Sequence, residues 1–498
     1  MTGSSGQAAP TVTGPPPASG PATVIVGSGN AGLAAAVRLS QRGVPAILVE
    51  KNARLGGQLH LSGGAFSAAG TRRQAARGIQ DSPAEHYADV LRISHGTATA
   101  PLVRLATEHA ATAVDWLDAL GFPFVDECPA IVRGHEPYGR ARTYWGAHPR
   151  NGGAAILETL LPHLDRAVVE VRTGEQVVEI LTETGTGAPR VTGIRTIGPA
   201  GERVVPATTV IMATGGYAAS RELLAQLQPR YAQALVGCLP HATGDGHRML
   251  MDLGVPMTGQ DTYLPTMGMI EDPDSPGYAF PLTRARLVVD ANARLPWEIW
   301  VNAHGERFVD ETGLSPDHRE RALLRQPELS MWGIWNEAAL RHAPSSPIGP
   351  DWTAEQVRAE AAAGRWLHRA DSVAELARMV GLPPAALSRT LAGYATDQPD
   401  PFGRTYRPDP LTEPPFYAVR TTGAMLLSRG GPVVDELLRP VTTSGASVEG
   451  LHAIGELLGM GQFSGDAFAG GMSVGPALTF GVWIADRLAE QRQQAPAR

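Results

Sequence analysis

Residues 22–26 form a short apolar run that leads into Gly27-Ser28-Gly29-Asn30-Ala31-Gly32. Residues 33–42 follow, Ala-rich and apolar at helical spacing. Gly43 ends that helix, and residues 45–49 make a second apolar strand closing on Glu50. Strand, tight turn, helix and strand in this order predict a βαβ unit. Residues 84–120 carry a helical period around Trp116 and Leu117. The pattern then alternates, predicting strands over 167–171, 176–181, 191–197, 203–205 and 209–212, punctuated by Gly and Pro as in a meander. From about 247 to 415 the chain is rich in Pro, Trp and Arg, with helical pieces at 317–326, 353–363 and 371–394. Strand-like and Gly-rich segments return from Phe416 and end in a helix over 475–491. The expectation is an α/β domain over 21–246, interrupted by a separate unit over 247–415 and resumed over 416–498, with no internal repeat.

The 498 residues suit two or three domain-sized units, and 43% hydrophobic residues suffice for a large core. A net charge of -7 argues against nonspecific binding to nucleic acid or to an anionic membrane. Residues 1–20 are Gly, Ser, Pro and Ala-rich and read as a disordered leader. They lack the basic and apolar regions of a signal peptide, Arg72-Arg73 lies too deep for a twin-arginine signal, and no run is long enough to span a bilayer, so a cytoplasmic protein is expected. Cys128 and Cys238 are far apart, without metal-ligand spacing, and read as buried apolar residues in a reducing compartment; no metal is expected.

The hexapeptide 27–32 fits G-x-G-x-x-G in the context that gives the pattern meaning, after a strand and opening a helix. Gly27 permits the tight turn, Gly29 lets backbone approach a pyrophosphate at the helix N-terminus, and Gly32 allows close packing of helix on strand. Asn30 and Ala31 complete this loop. Glu50, 23 residues beyond Gly27, is placed to accept ribose hydroxyls. The plain alternative, a glycine-rich turn without ligand, explains fewer of these features. A second Gly-rich region follows Glu50: Lys51, then Gly56-Gly57, then Ser62-Gly63-Gly64. That region, with Ala213-Thr214-Gly215-Gly216 after a later strand, suits FAD better than NAD, because a bulky isoalloxazine needs close backbone approach.

With these segments the chain resembles the fumarate reductase/succinate dehydrogenase flavoprotein superfamily, which includes the 3-ketosteroid dehydrogenases. The resemblance rests on VIVGSGNAGLAAA, LVEKNARLGGQLHLSGGAFSAAGT, IMATGGY, TGDGHRM, WVNAHGERFVDE, LHAIGELLG and GGMSVGPALTFG, in family order and covering nearly all of the chain beyond the leader. It implies a Rossmann-like FAD-binding domain interrupted by an α+β capping domain, with substrate held between cap and flavin. It implies FAD contacts at the loop glycines, at Glu50 and Lys51, and at Gly57, Ser62, Gly63 and Gly64. It extends them to Val177 or Val178, to Ala213, Gly215 and Asp245, and to Gly455, Glu456, Ser473 and Val474. The amides of Ser473 and Val474 would stabilise the anionic reduced flavin. Some members carry FAD on a histidine of the glycine-loop region; counted back from Gly63-Gly64, that position falls near Gly57 rather than on His60, so noncovalent FAD is expected.

The departures bear on substrate. Where fumarate reductases keep His-Pro-Thr, this chain has Leu264-Pro265-Thr266. The second histidine matches Leu427, and the carboxylate-binding arginine before Gly470-Gly471 matches Phe468. Burying a carboxylate against Leu and Phe without charged partners costs several kcal/mol. The site is therefore expected to take a largely apolar body, and succinate and fumarate are not expected. Phe468 also falls near the place of a ketosteroid dehydrogenase tyrosine. The relay arginine of the family would fall on Ser315, and Arg319 arrives four residues late; Arg319 suits a proton shuttle and a solvated helix residue equally well. Arg294 matches a second relay arginine, the relay glutamate matches Ala291, and Arg307 suits a role in cap structure.

The expected chemistry is hydride transfer between flavin and a carbon beside an activating group, with proton transfer next to it. Candidate acids and bases are Arg319, Tyr263, Tyr144, Tyr138 and His60, although most tyrosines are packing residues. Arg140 and Arg142 suit FAD phosphate, substrate or solvent alike. Three readings stay open: a dehydrogenase of a CH–CH unit beside a carbonyl-type group, an enone or enoate reductase fed by an external donor, and a flavin-binding electron-transfer or structural protein. The chain has no C-x-x-C-H and no iron–sulfur cysteine set, so electrons pass to or from O2, a quinone or a redox partner.

Overall fold

The computed structural model describes residues 22–494, apart from 133, 134, 149, 184–187, 263–265, 283, 292, 314, 315 and 350. Its first sheet is parallel at the centre. Val169–Thr173, Ala46–Glu50, Ala22–Val26 and Gly201–Met212 lie side by side, and Leu451–Ala453 pairs with the far side of Gly201–Met212. The expected strands at 203–205 and 209–212 are one strand. Its first half pairs antiparallel with Arg190–Gly198, and that strand pairs with Gln176–Glu183. Its second half joins the parallel sheet. Pro206 stands at the handover, which is why local pattern breaks there.

The helix Asn30–Gln41 packs against the terminal helix Val474–Gln494. Small residues set the approach: a methyl group on Gly481 would come within 2.5 Å of the Ala31 carbonyl oxygen. Arg38 and Arg42 clasp Asp486 at the other end. The expected helix over 84–120 is two, Pro83–Ile93 and Ala100–Ala119. They are divided where Gly96, at φ +72°, donates its amide to Leu91 and turns the chain. The helical piece at 371–394 likewise splits into Val373–Met379 and Pro384–Tyr394, since Pro383 and Pro384 cannot continue a helix.

The second sheet runs Thr266–Met269, Phe416–Met425, Ser330–Asn336, Ile299–Val301. Leu367–Ala370 and Leu235–Val236 also pair with Phe416–Met425. The boundary expected at Phe416 is thereby corrected: that strand is the hub of the second sheet, and the chain returns to the first unit only after Met425. A strand buried on both faces looks alike in either sheet, so its pattern did not report its partners. Two apolar clusters, around Trp300, Trp335 and Tyr417 and around Ile299, Leu376 and Leu387, cover this sheet. No helix among the described residues is long and apolar enough to cross a membrane.

Candidate active site

The loop after the first strand is shaped for a ligand. Gly27 stands at φ +97°, and a methyl group there would meet the Ala213 carbonyl oxygen at 2.4 Å. One on Gly32 would lie 1.9 Å from the Gly27 carbonyl oxygen, so the helix can sit this close only without a side chain. By contrast, a methyl on Gly29, Gly63 or Gly215 would meet no atom within 4 Å. These three faces line open space around a helix N-terminus that no side chain caps. The Oδ1 of Asn30 and the Oγ1 of Thr214 are buried there without a hydrogen-bond partner. Asn30 Nδ2 donates to the Val474 carbonyl at 2.9 Å and so joins the two helix N-termini, at Ala31 and at Ser473-Val474. An uncapped helix N-terminus, open glycine faces and the unpartnered buried oxygens of Asn30 and Thr214 match the needs of a pyrophosphate and a flavin.

Around this cradle, Glu50 accepts from the amide and hydroxyl of Ser28 through Oε2 and from the amide and side chain of Asn52 through Oε1. The carboxylate thus fixes the glycine turn. Lys51 bonds Thr243 Oγ1 at 2.7 Å and Asp245 Oδ2 at 3.0 Å; against the opposing effect of burial, the Thr243 hydroxyl, donating to Asp245 Oδ1 at 2.7 Å, and then Lys51 hold Asp245 below its ordinary range. Gly56 donates to Ser28, and Ser62 Oγ accepts from Gly64, with Gly57 between these turns. Val177 is buried and Val178 half-buried on the strand beside Asp245. Gly455 stands at φ +74° against Ala31, and Glu456 is half-buried, accepting from Ser428 N at 3.2 Å and Oγ at 3.3 Å. Burial pushes the Glu456 carboxyl up to about 7, against the lowering effect of the Ser428 bonds.

The expected acids and bases fare unevenly. Tyr144 is not at an open site. It is fully buried, its hydroxyl is 2.6 Å from Thr71 Oγ1, its ring stacks on Phe66, and burial raises it above the ordinary phenol range. Tyr138 donates to the Gly470 carbonyl at 2.6 Å and fixes the Gly470-Gly471 turn. His60 is tied by Nε2 to the Leu55 carbonyl at 2.9 Å and shapes the loop. Arg142 is sealed from solvent and paired with Asp81 at 2.8 Å and Asp89 at 3.2 Å, while Arg140 is largely exposed. Arg307 pairs with Glu311 and Asp400 and Arg294 with Glu298, all within the second unit. Tyr263, Leu264 and Ser315 lie outside the described residues.

Arg319 is not a solvated helix residue. It is completely buried, donates from Nη1 to the Gly313 and Glu311 carbonyls, lies over Trp300, and leaves Nε and Nη2 without hydrogen-bond partners. Its helix, Pro316–Leu324, faces the Gly465–Phe468 turn, because Arg321 donates to the Asp466 carbonyl. Arg429 donates to Gly465 in the same turn, is 3% exposed, and its Nε has no partner. Leu427 is half-buried two residues earlier. Phe468 stacks on His135, ring centroids 4.4 Å apart. The donor atoms of His135, Asp317 and Glu320 all lie within 4.8 Å of one another. Sequence reading missed His135, Asp317, Glu320 and Arg429. The one available signal was the Asp317–Glu320 spacing on a helix beside Arg319; His135 sits in a loop with no pattern to mark it.

Fold and cradle together define an FAD-dependent oxidoreductase. Residues 22–474 match the model of the FAD binding domain family, and the chain belongs to that family. It is 26% identical over 478 residues to a probable fumarate reductase, Ifc3, of Shewanella frigidimarina, covering 94% of this chain and 74% of the relative. A vinyl phenol reductase of Lactiplantibacillus plantarum is 25% identical over 452 residues, 87% of this chain and 88% of that protein. In fold, the chain matches a 3-ketosteroid delta1-dehydrogenase of Sterolibacterium denitrificans with TM-score 0.77 at 22% identity, over 94% of this chain and 99% of that one.

Proposed function

We propose that this chain uses noncovalently bound FAD to interconvert a CH–CH unit and a C=C bond beside a carbonyl-type group on a largely apolar small molecule. The carrying observation is the make-up of the mouth that we place where the helix Pro316–Leu324 meets the Gly465–Phe468 turn. Phe468 and Leu427 stand where the family keeps carboxylate ligands, while Arg319 and Arg429 remain buried with unpartnered donors. Each guanidinium bonds a backbone carbonyl but keeps further buried donors unpaired, which is costly, so a ligand oxygen is the group expected to satisfy them. We infer one such oxygen on an apolar body, because Phe468 and Leu427 offer no hydrogen bond to the second charged group of a dicarboxylate. The ties of His60 and the open faces of the glycine loop support a flavin held without a covalent bond.

FAD supplies the two-electron chemistry when bound. The chain orients the substrate through its apolar walls, offers donors to the activating oxygen, and keeps water from the reacting carbons. A reductase fed by an external donor and a dehydrogenase passing electrons to O2, quinone or a redox protein use the same arrangement in opposite directions. The relatives named as reductases favour the first.

The test is anaerobic photoreduction of the holoenzyme, followed by mixing with 2-cyclohexen-1-one, a cinnamate ester or fumarate. Reoxidation of the flavin by the compounds with one carbonyl group is expected, with fumarate at least about 100-fold slower, the effect of roughly 2.7 kcal/mol of unmatched charge. Fast reoxidation by fumarate overturns the substrate argument. Absence of turnover and of any spectral change with all three would make the chain a flavin electron-transfer protein instead.

A further inference from the structure

Three ionisable groups meet at the mouth from two parts of the chain. Asp317 and Glu320 come from the helix Pro316–Leu324, and His135 from the loop that follows the first unit's long helices. His135 Nε2 stands 3.8 Å from Glu320 Oε2, and the side chains are 27% and 8% exposed respectively. One edge of the imidazole thus faces a buried carboxyl while the ring retains an open side. Phe468 holds that ring at a 35° tilt, on the turn that carries Gly470-Gly471 toward the flavin cradle.

We propose that His135 and Glu320 are the proton-transfer pair of this active site, with Asp317 as the third member that shares their proton and Phe468 as the platform that orients the imidazole. The proposal rests on the reading of this mouth as the substrate site. In the reducing direction, one carbon of the C=C bond takes hydride and the other takes the proton of the His135 imidazolium. The π bond breaks, two C–H bonds form, and His135 recovers its proton from Glu320 and solvent. Oxidation is the reverse.

Charge and solvation agree with this geometry. Burial raises both Asp317 and Glu320, so each carboxyl gives up its proton less readily than an exposed one. Burial alone would lower His135, but the Glu320 carboxylate facing it at 3.8 Å and the charges of Asp317 and Asp290 outweigh it and hold the imidazole above its ordinary range. Arg321, His95 and Glu136 face Asp317, and Arg429 faces Glu320. Oδ1 of Asp317 and Oε2 of Glu320 are buried without a hydrogen-bond partner, as expected of groups that exchange a proton. Histidine and carboxylates are also metal-ligand types, but the guanidiniums of Arg321 and Arg429 beside them oppose a divalent cation. Groups this close titrate as a unit, so removing one member changes the others.

The test has two readouts on the FAD-loaded protein. In the first, histidine-labelled protein is titrated by NMR, with the His135 resonance assigned through His135→Gln. A His135 pKa above the usual imidazole value of about 6.5 is expected, falling by a unit or more in Glu320→Gln. A value at or below the usual one, or one that Glu320→Gln leaves in place, overturns the pair. If Glu320→Gln does not retain FAD, Asp317→Asn tests the same coupling from the other carboxyl. Stoichiometric zinc should leave the resonance unchanged; its loss at one equivalent would make this a metal site and overturn the proposal. In the second readout, photoreduced enzyme is mixed with 2-cyclohexen-1-one across pH. His135→Gln should slow reoxidation by roughly 100-fold or more and flatten the pH profile while the flavin spectrum stays unchanged. Equal rates with the wild-type profile overturn it. If the wild type turns over no probe, the proposed function fails, while the NMR titration still decides the pair.

Discussion

The Glu50 carboxylate grips Ser28 twice, 2.9 Å from its amide and 2.7 Å from its hydroxyl, and so holds the glycine turn in place before any ribose arrives. The loop is pre-formed by the residue that is also expected to receive the sugar.

Glu50→Ala should therefore act on both. It removes charge-assisted bonds worth about 1.5–3 kcal/mol each and leaves the Ser28 amide without its partner. FAD affinity should fall by at least about 10-fold, as read by flavin fluorescence on titrating the apoprotein. Glu50→Gln should retain part of it, because an amide oxygen still accepts from Ser28. Unchanged affinity in Glu50→Ala would place the ribose elsewhere.

Glu456 gives the apoprotein a specific pH dependence. Burial raises its carboxyl from 4.5 to about 7. In the unfolded chain it ionises near the ordinary value, so between about pH 4.5 and 7 the folded state binds more protons than the unfolded one. Stability must then fall as pH rises through that window, and the loss is complete above the folded value. Glu456→Gln removes the effect. The difference in unfolding free energy between variant and wild type should grow from near zero at pH 4.5 to roughly 3 kcal/mol at pH 8 in favour of the variant. A difference that stays flat with pH would show that Glu456 is ionised in the fold.

Sequence reading succeeded where one local pattern carries one physical demand. Gly27 needs its positive φ, Gly32 its close packing and Glu50 its place at a strand end, and each is visible in a few consecutive residues. It failed where the demand is long-range. Phe416–Met425 reads as a buried strand, but only pairing with Ser330–Asn336 and Leu367–Ala370 shows which sheet it serves. Tyr144 and Arg142 lie two residues apart, one read as a candidate acid or base and the other as a contact to FAD phosphate, substrate or solvent. Both are buried, one by the Phe66 and Phe124 rings and one by two aspartates some 50–60 residues earlier. His135 meets Glu320 across 185 positions of sequence, a juxtaposition that spacing cannot announce.

Arg142 and Asp81 make the last test, because the sequence left Arg142 open between FAD phosphate, substrate and solvent. Both side chains are fully buried and 2.8 Å apart, and Asp81 also accepts from Gln74. Tyr138, on whose ring Arg142 partly lies, holds the Gly470 carbonyl. Removing the cation leaves Asp81 charged in an apolar interior, which costs about 3–5 kcal/mol, far more than loss of an exposed pair. Arg142→Met should therefore lower the unfolding free energy of the apoprotein by that amount in a urea titration. The double variant Arg142→Met with Asp81→Leu should recover much of it, since no buried charge at position 81 is then left alone. FAD affinity in whatever folded protein remains should change little. A variant with unaltered apoprotein stability and weakened FAD binding would instead make Arg142 a phosphate ligand, and would require its pairing with Asp81 to open when the cofactor enters.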